Sequence, residues 1–305
     1  MNPDYYIRYG LELLDDNLKS ELNHFEKISD ILLSLYITRI GNRQTNFHGE
    51  RKYYVNLIAQ KFLLHINSVK KLTEGISFKS KSKDFETIIK DPFSIIILVR
   101  GAIENYLVLN YISNRYRDED LLAGRFDIWL RYGLTKRGIL PENNEEKKVH
   151  RSDQDSIELL TERIKERQFF KDLSQQKQET FLKQINREWK FIFKEDKFFP
   201  ASWKDLIYDS GLKSHIGQNV YNYLSWHAHT QSISVIQLKD MWNENFDEFS
   251  TKVSISKLNM FGSFLISDII QNDTEFKTAF DSMSEDLREL INFYNYSYRG
   301  EKYIV

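Results

Sequence analysis

The sequence predicts an all-α fold, a helical bundle of about ten helices, and three observations predict it. Proline and glycine, on which the turns of sandwiches, barrels and Rossmann sheets depend, number only 4 and 12 in 305 residues. Long stretches rich in Leu, Ile, Lys and Glu favour helix over strand. Apolar residues recur at spacings of three and four, the period of a helix with one buried face.

Taken in order, residues 4–20 and 22–40 carry that spacing in Leu11, Leu14 and Leu18 and then in Ile28, Leu32 and Leu35. A polar break from Gly41 to Gly49 precedes a third helix over 51–73. Asp91-Pro92 reads as a cap followed by proline in the first helical turn, opening an apolar helix that lasts to Arg115. Residues 118–138 predict an amphipathic helix on Leu121, Leu122, Phe126, Trp129 and Leu130, and the polar stretch 140–150 reads as a linker. Two charged helices follow at 153–171 and 175–193. Ser202-Trp-Lys-Asp205 resembles a capping box that starts a short helix. A helix over 214–238 and two more at 251–271 and 274–296 complete a single domain spanning 1–305, with 139–200 as a peripheral elaboration. No repeat or low-complexity tract interrupts it.

Composition narrows the function. The 43 basic and 44 acidic side chains leave a formal charge of -1, so no global field recruits nucleic acid or an anionic membrane, and any RNA contact must be local. The absence of cysteine excludes disulfides, thiolate metal sites and a cysteine nucleophile. No basic leader with an apolar core opens the chain, and the longest apolar run is broken by Arg100 and Glu104, so the expectation is a cytoplasmic protein that does not cross a membrane. There is no G-x-S-x-G elbow and no glycine-rich phosphate loop.

Two polar pairs stand out against this background. Arg100 and Glu104 share one helical face with Ile96, Ile103, Leu107 and Tyr111. A surface pair favours glutamate on the amino-terminal side of the cation, and here the order is reversed. Two readings stand: a buried salt bridge that sets helix register, or an arginine lining an anion pocket with Glu104 orienting it. Further on, Gln218, Tyr221, Ser225, His229 and Ser232 fall within about 40° of one line on a helix. That stripe reads either as a hydrogen-bonded helix contact or as a site in which His229 moves a proton while Tyr221 and Ser225 position substrate. His227 and His229 point about 160° apart on a helix and do not chelate one ion. The remaining histidines are scattered singly, so neither a metal nor a cofactor is expected.

Arg100-x-x-x-Glu104 in an apolar helix, Trp203 before a short helix, and Tyr221-x-x-x-Ser225-x-x-x-His229 together resemble a family of helical bacterial proteins of unknown function, over residues 85–240. A wider similarity is to the HEPN superfamily, helical bundles that include metal-independent ribonucleases of toxin and phage-defence systems. Their motif, an arginine followed four to six residues later by histidine, is matched by Arg43-Gln-Thr-Asn-Phe-His48. The pairs Arg100–Glu104 and Ser225–His229 lie on separate helices and depart from that single motif. The resemblance implies a HEPN-like core and an endoribonuclease in which the ribose 2′-hydroxyl attacks its own phosphate. The catalytic set is Arg100, Glu104, Ser225 and His229, or alternatively Arg43 and His48, with Tyr221 and Gln218 binding the ligand. The competing expectation is a non-catalytic ligand-sensing or interaction module. Partners on either reading are RNA or an anionic small molecule, with a homodimer also allowed.

Overall fold

The computed structural model describes residues 2–15, 17–41, 50–80, 82, 84–137, 142–194, 196–214, 216, 220, 236 and 244–305. Helix makes up 77% of it, in twelve α-helices among the described residues, and the all-α expectation holds. The chain divides into two compact units, Met1–Asn110 with Ile207–Val305, and Tyr111–Leu206. The segment 139–200 lies within the second.

In the first unit, α1 (Pro3–Leu14) and α2 (Leu18–Gly41) are separated where one helix was expected to run to residue 20. The reason is Asn17, whose side-chain oxygen accepts from the Ser20 amide at 2.8 Å and so starts a new helix. On α1 the expected apolar face is not the buried one. Leu11 and Leu14 are exposed, and the helix instead buries Tyr9. On α2 the spacing is obeyed, with Ile28, Leu32 and Leu35 fully buried. Helix α3 (Glu50–Thr73) contributes Phe62, Ile66 and Val69 to the same core.

A hairpin then intervenes, β1 (Ile76–Ser80) against β2 (Phe85–Ile89), antiparallel with Ile76 opposite Ile89. Asp91 caps α4 (Pro92–Ser113) as expected, its carboxylate accepting from the amides of Phe93 at 3.1 Å and Ser94 at 3.0 Å. The long helix α10 (Glu244–Asn272) is buried on nearly every side. It packs on α2 closely enough that a Cβ on Gly262 would stand 2.9 Å from Ile28. The expected helix 274–296 is broken into α11 (Thr274–Asp281) and α12 (Glu285–Tyr298), because the chain turns at Ser282–Ser284 before Glu285 and Asp286 favour a fresh N-terminus. By length and composition α4 and residues 248–272 of α10 reach the size and apolarity of a membrane span. In α10, 83% of that stretch is buried against its neighbours, as in a core helix.

In the second unit, α5 (Glu119–Arg137) starts at Asp118, which accepts from the amides of Asp120 and Leu121. The linker expected at 140–150 is corrected in part: α6 (Asn144–Glu166) begins inside it, with the Asn143 side chain accepting from Glu145 and Glu146. A polar run is helical here because Asn143 caps it and two glutamates occupy its first turn. After α7 (Gln168–Lys171), the helix expected at 175–193 stops early as α8 (Gln175–Gln184). Phe-Ile-Phe-Lys and Lys-Phe-Phe-Pro pair instead as the hairpin β3 (Phe191–Lys194) and β4 (Lys197–Pro200). Their aromatic rings pack better on a pleated surface than along a helix. The unit's core is Ile128, Ile164, Phe170, Phe181 and Phe191.

The capping box forms as expected. Ser202 Oγ accepts from the Asp205 amide at 3.2 Å and Asp205 accepts from the Ser202 amide at 2.8 Å, opening α9 (Trp203–Asp209).

Candidate functional site

Arg100 lies one turn into the apolar centre of α4, and its Nε donates to Glu104 Oε1 at 2.9 Å. The arginine side chain is 13% exposed and the glutamate 27%, among Ile96, Ile103 and Leu107, which are buried. The pair is thus enclosed on its apolar side and reaches solvent at its polar end, and the carboxylate fixes the guanidinium plane.

A residue not singled out in the sequence packs on the same helix, about 100° round from Arg100. The His65 ring of α3 packs on α4 at Gly101, the residue after Arg100. A Cβ built there would stand 3.3 Å from His65 Cε1 and 3.4 Å from Nε2. Burial, and then the charge of Lys61, lowers the His65 pKa below 6.5, so the ring is neutral near physiological pH and able to accept a proton. A glycine inside an otherwise bulky apolar helix was the one local sign of this close approach.

Arg43, His48, Gln218, Tyr221, Ser225 and His229 lie outside the described residues. Trp203 is described, at the start of α9, with its ring 5.9 Å from that of Trp189. No group of three or more His, Asp or Glu side chains placed to hold a metal ion occurs among the described residues.

Sequence reasoning also passed over a buried proton chain in the same unit. His24 Nε2 lies 2.6 Å from Glu12 Oε2, and its Nδ1 lies 2.9 Å from the Tyr294 hydroxyl. A carboxylate only accepts, so Nε2 carries the proton and donates to Glu12, while Nδ1 accepts from the tyrosine. His24 is fully buried, and its burial, working against the pull of Glu12, lowers its pKa. Beside it, Glu21 accepts from Asn259 Nδ2 at 2.7 Å, and burial raises the Glu21 pKa. Glu12, His24 and Tyr294 come from three helices far apart in the chain, so no local pattern announces them. His24 and Tyr294 are buried and Glu12 is partly exposed, so the chain ties α1, α2 and the C-terminal helix together from the core to the surface.

At the edge of this region Asp286 accepts from Tyr9 Oη at 2.8 Å, from Lys27 Nζ at 3.0 Å and from Arg8. Burial pushes the carboxyl up, but these hydrogen bonds together outweigh it and hold Asp286 at about 2 against an ordinary 3.8. A depressed folded-state value stabilises the fold above the ordinary pKa, and that stability is lost as pH falls toward the folded one. Asp286→Asn is therefore expected to be roughly 2 kcal/mol less stable than the parent near neutral pH, with the gap closing in acid. Urea midpoints from neutral pH down to about pH 2 check this, and a gap that does not narrow contradicts it.

The fold and this geometry define a mainly helical protein whose most apolar helix carries a largely enclosed arginine–glutamate pair and is met at Gly101 by a neutral histidine. No known protein-family model, curated protein or solved structure matches the chain.

Proposed function

We propose that the protein is a HEPN-like, metal-independent endoribonuclease of a toxin or phage-defence system, acting in the cytoplasm on RNA. The observations that support it are the largely enclosed Arg100–Glu104 pair of α4 and a neutral, half-buried histidine, His65, packed on the same helix at Gly101. Strand scission within RNA needs a group that takes the proton of the 2′-hydroxyl, a group that returns a proton to the leaving 5′-oxygen, and a cation where charge builds on phosphorus. Arg100, oriented by Glu104, supplies the cation. A histidine supplies the base: His65 on the geometry described, or His229 or His48 on the sequence signatures.

Purified protein incubated with total RNA and EDTA is expected to cleave it. Arg100→Ala and one of His65→Ala, His229→Ala or His48→Ala are expected to lower the rate by about 100-fold or more. No cleavage, or a rate unchanged in all four variants, ends the reading.

The alternative is a non-catalytic ligand-sensing module, and the low exposure of Arg100 favours it, since 13% of the side chain admits a small anion more readily than a polymer. Nucleotides that raise the melting temperature of a protein inert on RNA distinguish this outcome.

A further inference from the structure

We propose that the second unit carries a binding site for a nucleobase, in an open cavity of about 330 Å³ lined by Trp129, Tyr132 and Trp189 together with Gly133 and Arg137. Three features point to that ligand class.

The first is Gly133. Glycine in a helix interior costs about 1 kcal/mol relative to alanine, so it usually answers a need for close approach. Gly124 on the same helix does so, since a Cβ there would stand 2.2 Å from Phe169. At Gly133 nothing lies within 4 Å of the added Cβ. Gly133 is exposed, so the space the missing side chain leaves opens to solvent along the edge of the cavity it lines.

The second is the lining. Trp129, Tyr132 and Trp189 are half-buried rings, and two leucines complete the walls. Flat aromatic walls suit a flat ring, and each base stacked on an aromatic side chain is held by roughly 1–3 kcal/mol. The volume is at the small end of ligand cavities, about the size needed for one base and its sugar.

The third is charge. The lining includes Arg137 and no carboxylate. Arg137 is held in place by Asp153, with Nε donating to Oδ2 at 2.8 Å. One turn along from the cavity wall, the Lys136 ammonium stands 5.3 Å from the centre of the Tyr132 ring. The Lys190 ammonium stands 4.9 Å from that of Trp189 but is paired with Glu188 at 2.8 Å. The Lys136 cation beside a ring of the lining favours a ligand ring that carries a phosphate, whether as a free nucleotide or as one residue of an RNA strand.

The site belongs to the second unit alone and does not depend on cleavage, so binding tests it without reference to the ribonuclease reading. Isothermal titration of the full chain with AMP, with UMP and with a short mixed-sequence RNA is expected to show saturable binding to at least one of them. Gly133→Leu, which adds a bulky side chain to the lining and improves helix propensity, is expected to keep its melting temperature while weakening that binding at least tenfold. Trp189→Ala is expected to weaken it as well. Binding of RNA more tightly than either mononucleotide places the base within a strand, and equal or tighter binding of a mononucleotide identifies the free nucleotide. No saturable binding of any probe at millimolar concentration, or a Gly133→Leu protein that binds like the parent, overturns the proposal.

Discussion

Replacing Asp268 with alanine is expected to destabilise the first unit by roughly 4 kcal/mol, because it strands a buried guanidinium. Asp268 Oδ1 accepts from Arg299 Nη1 at 2.9 Å, and its Oδ2 accepts from the Tyr106 hydroxyl at 3.0 Å and from Asn110 Nδ2 at 2.8 Å. The Arg299 side chain is wholly buried, stacked 3.6 Å over the Tyr303 ring, and its Nη1 also donates to Asn295. Its Nε and Nη2 have no hydrogen-bond partner among the described residues. One carboxylate is therefore the only counter-charge the described contacts give this cation, and deleting it leaves both desolvation and charge uncompensated. Removing both charges together, as in Asp268→Ala with Arg299→Met, is expected to recover a good part of the loss, since a buried pair is often replaceable by apolar groups. Urea denaturation of the two variants checks the pair of results. A loss below about 1 kcal/mol in Asp268→Ala, or a double variant weaker than the single, contradicts the account.

The second large effect is expected in the other unit. Phe181→Ala removes a ring that is wholly buried and touches Phe198 at 4.8 Å between centroids, Phe191 at 5.2 Å and Phe193 at 5.7 Å. It joins α8 to both strands of the β3–β4 hairpin, so the void falls where three elements meet. Truncating such a phenylalanine costs about 3–5 kcal/mol, the transfer of the ring plus the cavity it leaves. Hydrogen exchange should show protection lost across residues 111–206, with the amides of α2 and α10 holding near parental rates. Uniform loss over both units contradicts the assignment of this ring to the core of the second unit.

Much of the fold is legible locally. The Asp91-Pro92 start of α4, the Asp118 start of α5 and the Ser202–Asp205 box all depend on groups within three residues of each other, and each forms as the chain predicts. The departures have a common cause. Asn143 turns a polar stretch into the first turns of α6, and the residues after Gln184 leave the helix because Phe191, Phe193 and Phe198 find aromatic partners around Phe181. Periodicity marks an apolar face but does not say what will cover it, which is why Leu11 and Leu14 of α1 stay exposed while Tyr9 is buried.

The candidate site divides along the same line. The Arg100–Glu104 pair is legible because both residues sit on one helix at a spacing that makes them neighbours. His65 beside Gly101, Glu12 with His24 and Tyr294, and Trp189 lining one cavity with Trp129 are not, since each joins residues at least 12 positions apart.

The sequence by itself determined that this protein is helical, where most of its helices begin, and that an arginine and a glutamate share the face of its most apolar helix. Those outcomes rest on backbone geometry and on side chains within one turn of each other. Only the tertiary structure decided which histidine meets that helix, which buried charges answer one another, and where a cavity is left between aromatic rings. Such placements follow from how whole helices pack, and packing is a sum over distant contacts that no short stretch of chain contains.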